Sequence, residues 1–181
     1  MTQQAERQLD RLGAQYGRLA NYAALPAQEL CRVQPECSKW SPAQHLFHLL
    51  LANELSLKNA ESLVAQKGLL IRPFGSLAPR AEGIIARGRI PRGEAQSPRF
   101  VRPRDHVDLD FVRDLVRSTK EQIDALDAST VEAAPDCVPH QILGDLTATH
   151  WLRFARMHTA HHLVIVRELL GETKRPALGS S

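Results

Sequence analysis

From Trp151 onward one seam of the chain advances in steps of four and three residues, through Ala155, His158, His162 and Ile165 to Leu169. That rhythm is the 3.6-residue turn of an α-helix, and a stripe so apolar has to be covered by other elements. Two histidines lie inside it. The segment reads as a helix from about Thr147 to Leu170, with Gly171 placed to close it in a left-handed cap.

Three further segments carry the same period. Residues 3 to 24 place Leu9, Leu12, Tyr16 and Leu19 on one side. A second helix has a clear start, with Ser41 as N-cap, Pro42 at the first helical position and Gln44 completing a capping box. It then runs towards Gly68, and its first half, Leu46 to Leu51, is apolar enough to predict cover on more than one side. The third helix spans about 108 to 127, with Val112, Leu115, Ile123 and Leu126 on a common side and Asp108 and Asp110 near its positive end. Four long helices without an internal repeat predict an all-α protein, a four-helix bundle. The length suits a single domain over residues 1–171, with 172–181 as a flexible tail.

Residues 68–104 interrupt this order. They hold five glycines, five prolines and eight arginines (Arg72, Arg80, Arg87, Arg89, Arg92, Arg99, Arg102 and Arg104) against Glu82 and Glu94. The segment therefore carries +6 and the remainder of the chain −3, from a total of +3. It is expected to be a long arginine-rich loop inserted between the second and third long helices. Residues 128–146, with Pro135, Pro139 and Gly144, are expected to be a loop as well.

An odd set of thiols, Cys31, Cys37 and Cys137, in a chain long enough to build a core without staples points to reduced cysteines acting as small apolar fillers. No run approaches a membrane span, and the polar start MTQQAERQLD lacks the pattern of a secretion signal. A cytoplasmic location without membrane contact is expected. A two-fold homodimer would be the commonest assembly.

The chemistry lies in the histidines. His158 and His162 are four apart on a helix, which brings their Cβ atoms to roughly 5–6 Å and lets both rings reach one ion. His48, on the side of the second helix that also holds Leu51 and Leu55, can supply a third ligand from a facing helix. An isolated pair at this spacing is more often a hydrogen-bonded core pair than a metal site. Three imidazoles meeting in an apolar core favour the ion, because an unpartnered buried polar group costs about 1–3 kcal/mol. His45, one turn before His48, has two readings, a surface or capping role, which is the main expectation, and a place lining the site mouth; His161 is expected about 100° away from His162. His106, His140 and His150 belong to no constellation. Trp40 and Trp151 are expected to pack the bundle, Trp40 alone being placed to wall a substrate site.

The segments Trp40-Ser41-Pro42-Ala43-Gln44-His45-Leu46-Phe47-His48-Leu49 and Leu146 to His162 resemble the two signature regions of the DinB-like superfamily, which is related to bacillithiol and mycothiol S-transferases. The resemblance runs from the first helix to Gly171, apart from the insertion. It implies a three-histidine site, His48, His158 and His162, for zinc, nickel or a similar divalent transition metal. Many relatives carry a glutamine three residues after the last histidine, where this chain has Ile165, and their connection between the second and third helices is shorter.

Three neutral histidines leave an ion an open coordination position, the arrangement of catalytic zinc sites. The resemblance implies transfer of a low-molecular-weight thiol to an electrophilic small-molecule substrate. Metal-dependent hydrolysis and a non-catalytic, metal-stabilised interaction module are the alternatives. No separate general acid or base stands at a diagnostic spacing. The arginines, with Phe74 and Phe100, are the only basis for a nucleic-acid partner, and a solvated loop paired with acidic helix faces explains them better.

Overall fold

All four long periodic segments form helices whose ends fall within three residues of those expected. In the computed structural model, which describes residues 3–93 and 97–172, they are α1 (Gln3–Ala23), α3 (Pro42–Ala65), α5 (Leu109–Ala125) and α7 (Ala148–Leu169). Shorter helices lie between them: α2 (Ala27–Leu30), α4 (Pro79–Arg87) and α6 (Ala128–Ala133). A 3-10 turn covers Arg99–Val101, and a two-stranded antiparallel ladder joins β1 (Val138–His140) to β2 (Gly144–Leu146). The fold is mostly helical.

Local signals account for the ends of the long helices. Both halves of the capping box form at α3: Gln44 N donates to Ser41 Oγ at 3.3 Å, and Ser41 N donates to Gln44 Oε1 at 2.9 Å. Asp108 caps α5 and Thr147 caps α7. Gln66 rather than Gly68 closes α3, adopting φ 52° while its side chain donates to Leu63 O. Gly171, at φ 74°, follows α7 as expected.

Each long helix touches two others along its length. α7 packs on α3 and α1, and α5 packs on α1 and α3. The buried seam of α3 runs through Leu46, Leu49, Asn53, Ser56, Leu57, Ala60 and Leu63 and faces that of α7. His48 shares a side of α3 with Leu51 and Leu55, but that side is less buried than expected: Leu55 is 40% exposed and Leu51 is only partly covered. His48 sits at the edge of the seam and is buried because the Arg99–Val101 turn lies over it. Leu55, two turns on, has no such cover.

The segment expected as a structureless insertion also needs correcting. It carries α4, started by Pro79 and ended by Gly88 at φ 66°, and the 3-10 turn. Its first part is sewn to the ladder by backbone bonds: Arg72 N and Cys137 N each donate to the other's carbonyl, and Asp145 N donates to Ser76 O. Gly144 is required at that seam, because at φ 83° an added Cβ would lie 2.5 Å from Ala78 N. Residues 128–146, expected as loop, hold α6 and the ladder.

Cys31, Cys37 and Cys137 are all unbridged. Only Cys137 is buried, and Cys31 is exposed, so the filler role fits one of the three. No helix among the described residues is long and apolar enough to cross a membrane. The tail from residue 173 lies outside the described residues.

Candidate metal centre

α7 delivers two imidazoles from successive turns, and α3 delivers a third from the facing wall. His48, His158 and His162 are 4%, 9% and 6% exposed, and one ring nitrogen from each lies within 4.8 Å of the others. His158 Nε2 is 3.2 Å from His48 Nε2 and 3.1 Å from His162 Nε2. Two nitrogens bound to one ion at 2.0–2.1 Å with tetrahedral angles stand about 3.3–3.4 Å apart, so the two pairs that include His158 have the spacing of a metal site.

Tautomers sharpen this test. His48 Nδ1 is 2.8 Å from Val101 O, and a carbonyl only accepts. The proton of His48 is therefore on Nδ1, and a lone pair on Nε2 points into the cluster. His158 Nε2 has one position for a proton and two nitrogens facing it. In the metal-free protein a single N–H shared between His48 and His162 is the most that this geometry accommodates. An ion takes a lone pair from each ring instead. The residues fit a divalent metal.

Burial keeps the rings in the ligand form. Desolvation pushes the pKa values of His158 and His162 well below 6.5, and the neighbouring imidazoles push the same way. His48 is lowered by burial too, partly opposed by its bond to Val101. Neutral imidazole is the form that binds a metal.

The outer nitrogens are not treated alike. His48 holds Val101, and His162 Nδ1 is 3.0 Å from His45 Nδ1. Among the described residues His158 Nδ1 is buried without a hydrogen-bond partner, its ring stacked on Phe154 with centroids 5.5 Å apart. Trp40 packs against His45 and His48, with ring centroids 5.3 and 5.1 Å apart.

The insertion supplies part of the site. After α4 it crosses α7, where Arg153 reaches Ala86 O, the His161 ring meets the Ile90 backbone and Arg92 pairs with Glu168 at 2.8 Å. It then lays Val101 over His48. His161 thus faces the insertion and meets His162 only ring edge to ring, with centroids 5.0 Å apart, while the three-histidine cluster is formed without it.

Residues 11–166 match the DinB superfamily. The chain belongs to that superfamily. The match includes all three clustered histidines and both signature regions. Comparison with curated proteins and with solved structures yields no match.

Two groups at the site go beyond the main expectation, and for His45 the alternative of lining the site mouth fits better than a surface or capping role. His45 is 4% exposed, not at the surface, and burial lowers its pKa to about 3. Its position one turn before His48 was the available signal. The Val101 carbonyl had none, because a backbone oxygen leaves no mark on residue type. His140 also has partners: its Nδ1 accepts from Ile142 N and Leu143 N, and its ring meets Phe154 and Trp151.

Proposed function

We propose that the chain is a metal-dependent enzyme whose four long helices form a bundle around one zinc or nickel ion held by His48, His158 and His162. Its reaction is the transfer of a low-molecular-weight thiol to an electrophilic small molecule. The observation that carries the metal reading is the pair of Nε2 contacts at 3.1 and 3.2 Å around His158, with the outer nitrogen of His48 already committed to a carbonyl. Membership of the superfamily supports the same donor set.

Bound there, the ion supplies Lewis acidity that makes a thiol, or alternatively a water molecule, nucleophilic near neutral pH. The chain's own residues keep the three rings neutral by burial and set the orientation of His48 through Val101. Trp40, packed on His45 and His48, walls one side of the cluster. Arg92 and Arg72 pair with Glu168 and Asp145, and Arg102 Nε donates to Ser97 O, so these three cations are engaged within the protein itself.

A second reading, a metal-stabilised module without turnover, is favoured by depth: none of the three histidines is more than 9% exposed. Turnover separates the two. Metal-loaded protein is mixed with cellular thiols and a panel of electrophiles, beside chelator-treated protein and the His158→Ala variant. The account expects turnover that needs both metal and thiol. Metal-dependent turnover without thiol would indicate hydrolysis, and equal rates in all three samples would reject metal catalysis.

A further inference from the structure

His45 belongs to none of the three metal-facing positions, yet it is as deeply buried as His48. Its ring bridges two groups. Nδ1 stands 3.0 Å from His162 Nδ1, and Nε2 stands 2.8 Å from Ser38 Oγ. Ser38 Oγ in turn accepts from Trp40 N at 3.1 Å, which fixes the hydroxyl in the turn leading into α3.

A short contact between two ring nitrogens holds one proton, and its side decides the state of the far nitrogens. With that proton on His162, His45 Nδ1 accepts it, His45 carries its own proton on Nε2, and Ser38 Oγ accepts that one. His162 Nε2 is then a bare lone pair facing the cluster. With the order reversed, Ser38 donates to His45 Nε2, His45 donates to His162 Nδ1, and a proton sits on His162 Nε2 where an ion would bind. Only the first order is compatible with ligation.

We propose that His45, held by Ser38, is a positioning residue for the metal centre: it accepts the Nδ1 proton of His162 and so keeps the Nε2 lone pair of that ring directed at the ion. The inference rests on reading His48, His158 and His162 as a metal site. Metal-bound histidines generally donate their outer N–H to an acceptor, and losing such a partner lowers metal affinity by about 10–100-fold. His48 has a backbone carbonyl in that role and His162 has a second imidazole, so α3 serves the centre twice, once through a ligand and once through a ligand's partner.

The test is zinc affinity by chelator competition, with the cobalt-substituted visible spectrum as a second readout, on wild type and on His45→Leu, His45→Asn, His45→Gln and Ser38→Ala. Leucine removes the acceptor, and affinity should fall about 10–100-fold. Asparagine places an oxygen near the position of Nδ1 and should restore affinity to within about threefold with a wild-type-like cobalt spectrum. Glutamine reaches towards Ser38 instead and should behave like leucine. Ser38→Ala should give a smaller drop in the same direction. If leucine unfolds the protein, the asparagine and glutamine pair still decides. Wild-type affinity in His45→Leu, or equal affinities for asparagine and glutamine, would overturn the relay while leaving the metal site standing. A wild-type protein that takes up neither zinc nor nickel would instead remove the metal reading itself, and the relay with it.

Discussion

Two polar clusters are buried between α3 and α7, and they are built on opposite plans. In the first, Asn53 Nδ2 donates to Tyr16 Oη at 3.0 Å and to Thr159 Oγ1 at 2.8 Å, and the Thr159 hydroxyl donates to Ala155 O. Donors meet acceptors, and the group ties α1, α3 and α7 together. In the second, next to Thr159 in the chain, three imidazole nitrogens face one another with at most one proton to share. In the first cluster every Asn53 N–H has an acceptor, and only Asn53 Oδ1 is left without a hydrogen-bond partner among the described residues. In the second the facing lone pairs are all satisfied only when something positive takes the centre, and this makes it the candidate functional site.

The contrast breaks most visibly if ligands are removed. His48→Ala, His158→Ala and His162→Ala should each lower metal affinity by more than the roughly 10–100-fold typical of losing an outer partner. His161→Ala, which lies outside the three-histidine cluster, should not. Chelator competition on the four variants checks this, and full affinity in the His158→Ala protein would dissolve the distinction between the clusters.

Acid should act on the histidines and spare the asparagine network. Burial lowers the folded-state pKa of His45 to about 3 and of His140 to about 4, from 6.5. As pH falls below 6.5 the unfolded chain gains protons that the folded chain refuses, so stability is complete above that value and is lost through the window down to about 4 and 3. Between about pH 7 and about pH 5, His45 alone contributes a loss of about 2 kcal/mol. Thermal melts of chelator-treated protein should show the decline, and a flat profile would mean these rings are not buried neutral.

The complementary change is Asn53→Leu, which leaves the Tyr16 and Thr159 hydroxyls short of a partner. It should destabilise the fold by about 1–3 kcal/mol without lowering metal content, read from melts and elemental analysis of the same sample. The smallest effect belongs to the insertion's surface link. Arg92→Ala removes the half-exposed pair with Glu168 and should change stability by less than about 1 kcal/mol.

How far such a site can be read from residues alone depends on what holds each part. The spacing of His158 and His162 on an apolar seam is a helix property, visible in the chain, and so are the Ser41 capping box and the start of α3. His48 shares its helix side with Leu51 and Leu55, as spacing predicts, but its burial comes from the Arg99–Val101 turn and not from its own helix seam. α4 was missed because nine residues with Gly83 among them carry too little period, although Pro79 and Gly88 stand where a helix start and stop belong. The ladder was missed for a like reason: its strands have three residues each, one of them Pro139. His45 and Ser38 are joined by a turn that no period describes, and their bond to His162 exists only once α3 and α7 are side by side.

Elemental analysis of protein purified without an affinity tag or chelator tests the central claim most directly. The account predicts about one zinc or nickel ion per folded chain. A folded, tag-free protein that contains no transition metal, and that takes up neither zinc nor nickel when they are supplied, would contradict it.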